Sequence, residues 1–110
     1  MTHKTLLRWL ESSSLNEDEI DFLITFIPMM SVIKTQPNQA AEICLLINQQ
    51  FPKANLSPKE NYLDVHTFTS VIERYTFNKM KAEDLLRRMS AQNLCKPLCD
   101  FLLHQAHNAR

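Results

Sequence analysis

The stretch Phe22-Leu-Ile-Thr-Phe-Ile-Pro-Met-Met-Ser-Val-Ile33 is apolar almost throughout and carries no charge. Just before it, Asn16 can cap a helix, and Glu19, three residues later, can complete a capping box. Leu15 and Ile20 have the spacing of a hydrophobic staple around that cap. The sequence therefore predicts a helix that begins near residue 17 and carries the apolar stretch.

Pro28 lies in the middle of this predicted helix. Proline removes one backbone donor and crowds the preceding turn, so we expect a kink or a break there. As a helix, the segment is apolar on nearly all sides, which is typical of a central core helix or of one that is half exposed for a partner. One side carries Ile20, Leu23, Ile24 and Ile27, and the other carries Phe22, Phe26, Met29 and Ile33.

The composition favours an all-α fold. The chain has 110 residues, of which 45% are hydrophobic and 22% charged, and it contains no glycine. Without glycine it has neither the Walker loop nor the dinucleotide fingerprint, and tight β-hairpin turns are disfavoured. We predict a single helical domain over residues 1–110, a compact bundle of five or six short helices.

Further helices are predicted from apolar periodicity and from start signals. The run Ser57-Pro-Lys-Glu60 resembles a second capping box with proline in the first turn. The β-branched run from Val65 to Ile72 could form a strand, but a lone strand has no partner, so a helix is preferred; Asp64 is an alternative start. The predicted helices span residues 2–11, 37–51, 57–75, 81–89 and 97–107.

The chain offers little for catalysis or metal binding. On a helix, Cys99 and His107 lie about 12 Å apart along the axis, too far to share one zinc ion. Cys44 lies on an apolar stripe, and Cys99 is followed by Asp100, whose charge does not favour a thiolate. We predict a protein that is not an enzyme and that has no cofactor and no metal.

Cysteine usage and chain length also bear on localisation. The three cysteines are an odd number, and the first residues do not resemble a signal peptide, which favours a reducing compartment. The longest apolar stretch has 12 residues, whereas a membrane span needs about 20. We expect a cytoplasmic protein that does not bind membranes.

The charges balance overall but not locally. Residues 1–64 contain five basic and eight acidic residues, a net charge of −3, and residues 65–110 carry +3. Charged residues on solvated helix faces would explain this pattern. Head-to-tail pairing of the acidic and basic halves, within the fold or between copies, would explain it too. The alternative function is a helix-turn-helix-like nucleic-acid-binding regulator with Arg87 and Arg88 on its second helix. Zero net charge and the acids Glu83 and Asp84 disfavour nucleic acid as a partner.

Elimination leaves a non-catalytic protein–protein interaction protein: an adaptor, a chaperone-like binder, or an inhibitor or regulator of a larger protein. The partner would be another protein or a second copy in a homodimer. Phenylalanine and methionine are enriched at interfaces, and acids can steer a basic partner. The predicted partner-binding residues are Phe22, Phe26, Met29, Ile33, Glu17, Asp18 and Asp21. The alternative, that the apolar residues among these form the core, stays open.

Overall fold

Helices joined by short turns make up residues 2–108, the part of the chain that the structure, a computed structural model, describes; side chains are described from residue 6. This part contains no strand, so the predicted all-α bundle of five or six helices is confirmed. Short 3₁₀ turns precede and follow the third helix. The helices are α1 (Thr2–Ser12), α2 (Glu17–Thr35), α3 (Ala40–Gln50), α4 (Val65–Tyr75), α5 (Ala82–Ala91) and α6 (Lys96–Asn108).

The start of α2 is fixed by its own sequence. The N–H of Glu19 donates to Oδ1 of Asn16 at 2.8 Å, and the N–H of Asn16 donates to Oε1 of Glu19 at 2.8 Å. Leu15 and Ile20 are both buried beside this turn. The predicted capping box is therefore confirmed, and the start of the helix is where the sequence placed it.

Pro28 does not break α2. The helix continues from Glu17 to Thr35, so the expected break is wrong. Proline cannot donate to the carbonyl of Ile24, but both residues are exposed, and water can satisfy an acceptor at an exposed position. Although α2 is the longest helix, neither it nor any other helix within residues 2–108 has the length and apolar character needed to cross a bilayer.

Helix α4 begins at Val65 and not at Ser57, so the predicted second capping box does not form. The N–H of Ser57 donates instead to the hydroxyl of Tyr62 at 2.7 Å. Asp64 caps α4 by accepting from the backbone N–H three residues later. Gln105 of α6 accepts from the N–H of Val65 at 3.0 Å. The β-branched run is helical, as preferred, and it starts at the alternative position.

Two helices are followed by a residue in the left-handed conformation, a position where glycine is usual, and neither residue is glycine. Phe77 follows α4 with a φ of 54°, and Asn93 follows α5 with a φ of 61°. After each, the N–H of the next residue donates at 2.8 Å to the carbonyl five positions earlier. These are Schellman motifs, in which glycine and then asparagine are the preferred residues. Asn93 fits this preference, whereas Phe77 does not.

The core is centred on the aromatic side of α2. Phe22 stacks on Tyr75 at the end of α4, with ring centroids 3.9 Å apart, and meets Phe51 after α3 edge-on at 5.5 Å. One turn later, Phe26 contacts Phe68 of α4 at 5.3 Å. Helix α2 therefore lies between α3 and α4 and packs its aromatic residues against both.

Candidate partner-binding surface

The apolar docking residues predicted from the sequence lie mainly in the core. Phe22 and Phe26 have no exposed surface, Ile33 is buried, and Met29 is half-buried. Phe51, which follows α3, and the aromatic residues Phe68 and Tyr75 of α4 pack against this side of α2. The predicted docking face is therefore not a surface of this structure, and the core interpretation describes these residues.

The predicted acidic residues are on the surface, but they are not equivalent. Asp18 accepts a hydrogen bond from the hydroxyl of Tyr75 at 2.7 Å and lies 3.9 Å from Nζ of Lys53. It therefore connects α2 to the end of α4. Glu17 and Asp21 are exposed on the outer side of α2. These two are the acids best placed to meet an approaching partner.

The outer side of α2 carries an apolar stripe next to these acids. Glu17, Asp21, Ile24, Pro28 and Val32 are separated by four, three, four and four positions, which places them within an arc of about 80°. All five are exposed, and Ile24 is 48% exposed. We call Ile24, Pro28 and Val32 the α2 stripe. Acidic residues thus precede apolar ones along a single exposed face.

An apolar groove of about 370 Å³ runs along one edge of the α2 stripe. Its walls come from α1, α2, α5 and the turn before α6, and none of the lining residues among the described side chains is charged. Ile24 and Pro28 belong to both the α2 stripe and the groove, so the two form one continuous apolar surface. The lining residues are Leu6, Leu10, Leu23, Ile24, Ile27, Pro28, Leu85, Met89, Asn93, Leu94 and Cys95.

Sequence reasoning missed this surface because it grouped Ile24 with three isoleucine and leucine neighbours that are buried. Ile20, Leu23 and Ile27 face the interior, whereas Ile24 does not. A usable signal was present, since the exposed acid Asp21 lies three positions before Ile24 and so shares its arc of the helix. A charged residue on the same arc indicates that the arc is solvated.

The cysteines lack the environment of reactive thiols. Cys44 and Cys99 are buried, and burial raises the pKa of both thiols, that of Cys99 to about 12. Cys95 is half-buried at the groove, and there too burial raises the pKa, partly offset by a hydrogen bond with Ser31. A nucleophilic cysteine needs the opposite shift. This geometry gives no support to cysteine catalysis.

A larger cleft of about 560 Å³ lies between α4, α5 and α6 and has charged walls. One of its three acidic residues, Glu73, accepts from the N–H of Ala82 at 3.3 Å and so caps α5. Nowhere in the described chain do three or more His, Cys, Asp or Glu residues come together in a way that could hold a metal ion. Glu73 therefore has a structural role in this cleft.

The two arginines of the alternative nucleic-acid hypothesis make contacts within the chain. Arg87 pairs with Glu83 and lies 3.8 Å from the carboxylate of Asp84. Arg88 stacks over the ring of Trp9, with its guanidinium carbon 4.3 Å from the ring centroid. A phosphate would have to compete with these contacts. Nucleic-acid binding stays a prediction without support from this surface.

Comparison with known proteins gives no further guidance. No family model matches the chain, and neither the search of curated proteins nor that of solved structures gives a match. A functional proposal must therefore come from the surface itself, and the α2 stripe with its groove is the most extended apolar feature described above.

Proposed function

We propose that this protein is a non-catalytic interaction protein that binds a helix of another protein along the α2 stripe and the adjoining groove. One observation carries the proposal: Ile24, Pro28 and Val32 lie side by side on the surface and open onto a groove without charged walls. Contiguous exposed apolar surface that is bordered by polar residues is typical of interaction sites. An adaptor, a chaperone-like binder or an inhibitor would all use such a surface.

The shape of the surface favours an amphipathic helix as the bound element. A helix presents apolar side chains at every third or fourth position, and these can enter a groove between helices. The apolar residues of the α2 stripe repeat every four positions, so a helix laid along them can place one side chain in each gap. The groove walls from α1 and α5 would enclose its inner face.

The acids beside the α2 stripe indicate where a partner helix should carry basic residues. Glu17 and Asp21 lie on the same arc as Ile24, about two turns and one turn before it, respectively. A partner helix with Lys or Arg at the end that meets these acids would gain in association rate and in orientation. The acidic steering predicted from the sequence is therefore retained, with Glu17 and Asp21 as the contributing residues.

The proposal can be tested with a double substitution, Ile24→Asp together with Val32→Asp. Because both side chains are at least a third exposed, the fold should survive, which circular dichroism would verify. We expect the variant to lose a cellular protein that the wild type retains after crosslinking and affinity capture. Phe77→Asn is the matched control, since it removes an exposed apolar side chain elsewhere.

The control separates specific docking from general stickiness. A partner that is kept by Phe77→Asn and lost by Ile24→Asp/Val32→Asp supports the proposal. Replacing Glu17 and Asp21 by lysine should weaken capture most at low ionic strength, since salt screens exposed charges. If the doubly substituted variant captures the same proteins as the wild type, the α2 stripe is not a binding site.

A further inference from the structure

Helix α3 exposes a second apolar face that the packing of the bundle leaves uncovered. Leu45 is 58% exposed and Leu46 is 50% exposed, although both lie in the middle of a regular helix. Ala41 lies on the same face one turn earlier and is also exposed. Apolar residues scattered singly over a surface are normal, whereas contiguous exposed apolar residues are typical of interaction sites.

This face is separate from the α2 stripe. The opposite side of α3, with Ile43 and Ile47, is buried in the core. The residue after the helix, Phe51, contacts Phe22, which points away from the outer side of α2. No α3 residue is among the described lining of the groove beside the α2 stripe, so the exposed leucines of α3 are not part of that surface.

The charge pattern of α3 fits a second copy of the same helix. Between Ala40 and Gln50, the only charged residue is Glu42. Glu42, Leu45 and Gln49 follow one another at helical spacing along the middle of the exposed face. A face with one charge at one end and a neutral amide at the other can meet its own copy without opposing like charges.

We infer that the α3 faces of two copies pair in an antiparallel arrangement, about a two-fold axis that passes between Leu45 and Leu46. In this register Glu42 lies level with Gln49 of the second copy, whose amide can donate to the carboxylate. The two Glu42 residues are then about 10 Å apart along the helix axis. A parallel arrangement would place them opposite each other, where like charges repel.

The expected dimer is weak. One helix of 11 residues per copy covers about 16 Å of length, so the pairing buries less surface than a standard specific interface does. The dimer should therefore form in a concentration-dependent way. This inference does not depend on the proposed function of the α2 stripe, and the two have separate tests.

Sedimentation velocity over a range of concentrations up to about 1 mM tests whether the α3 face self-associates. We expect the wild-type mass to rise towards that of a dimer. Leu45→Asp/Leu46→Asp should raise the dissociation constant at least about tenfold, while Ile24→Asp should leave it unchanged. A wild type that stays monomeric overturns the inference, and so does a dimer that Ile24→Asp dissolves and the α3 variant does not.

Disulfide trapping tests the register. Under mild oxidation, a mixture of Glu42→Cys and Gln49→Cys chains should form crosslinked dimers, and neither variant alone should do so to the same extent. The wild type controls for the native thiols, of which Cys44 and Cys99 are buried. Equal crosslinking of Glu42→Cys with itself would indicate a parallel arrangement and would overturn the antiparallel one. The absence of crosslinks from every combination would overturn the pairing.

Discussion

The ammonium group of Lys79 lies 2.9 Å from Oε1 of Glu19, a carboxylate that is fully buried. The same oxygen accepts the N–H of Asn16 in the capping box of α2. The other carboxylate oxygen of Glu19, Oε2, has no hydrogen-bond partner in the described part of the chain. The pair thus attaches the segment between α4 and α5 to the start of the central helix.

Removing Lys79 should cost more stability than neutralising Glu19. Lys79→Met leaves a buried carboxylate without its cation, whereas Glu19→Gln leaves a neutral amide whose oxygen can still accept from Asn16. Because Lys79 is 31% exposed and solvent screens part of the interaction, we expect a loss of about 1–3 kcal/mol for Lys79→Met. Urea denaturation followed by circular dichroism measures the difference.

The double variant Glu19→Gln/Lys79→Met completes a thermodynamic cycle for this pair. If the two residues act together, the double variant should lose less stability than the sum of the two single losses, with a coupling energy above about 0.5 kcal/mol. Strict additivity would show that the ion pair itself contributes nothing measurable to stability.

Phe77 should be replaceable with a gain in stability. It occupies the left-handed position of the Schellman motif after α4, with a φ of 54°, and its side chain is 67% exposed. Glycine adopts this conformation without a steric cost, so Phe77→Gly should raise the free energy of unfolding by about 1 kcal/mol. The gain should appear as a higher denaturation midpoint.

Phe77→Ala is the control for that gain, because alanine removes the ring but keeps the Cβ atom. It should stabilise the protein less than Phe77→Gly does. The ring also lies 5.4 Å from Nζ of Lys53, an exposed contact worth about 0.5–1 kcal/mol. If Phe77→Gly destabilises the protein, this contact outweighs the backbone strain.

The two sides of α2 should respond very differently to substitution. Phe26 is fully buried, so Phe26→Ala should destabilise the fold by about 3–5 kcal/mol, and Phe26→Asp should prevent folding. Ile24→Asp, two positions earlier, should change stability by less than about 1 kcal/mol. Thermal denaturation of the three variants measures this contrast. A folded Phe26→Asp variant would show that the aromatic side of α2 can be solvated.

Stability should fall in alkali, and Cys99 should contribute to the fall. Burial raises the pKa of its thiol from 9.0 to about 12. Between these values the folded state keeps the proton and the unfolded state loses it, so the unfolded state binds fewer protons and stability decreases as the pH rises. Below about pH 9 the contribution of Cys99 is fully present, and above about pH 12 it is lost.

Comparison with Cys99→Ala isolates this effect from the other groups that titrate in alkali. Between about pH 8 and pH 10.5, the wild type should lose about 1–2 kcal/mol more than the variant does. Urea denaturation at the two pH values provides the measurement. Parallel losses in both proteins would mean that the Cys99 thiol ionises as easily in the folded state as in the unfolded one.

Local interactions made several features predictable from the sequence alone. The capping box of Asn16 and Glu19 involves atoms three residues apart, so the start of α2 could be identified without knowledge of the fold. Apolar periodicity and the absence of glycine can also be seen in the sequence itself, and they indicated the helical class. The capping box predicted at Ser57 does not form, because the backbone N–H of Ser57 donates to the hydroxyl of Tyr62.

The acids Glu17 and Asp21 mark one side of α2 as solvated at its start, but only the tertiary structure decided which side is buried along the apolar remainder of the helix. The helix is apolar nearly all round, so its sequence allows either Phe22 and Phe26 or Ile24 and Val32 to face the core. The stacking of Phe22 on Tyr75, 53 positions later along the chain, selects the aromatic side. Burying aromatic rings against each other gains more than burying the smaller outer residues, and this choice leaves the α2 stripe on the surface.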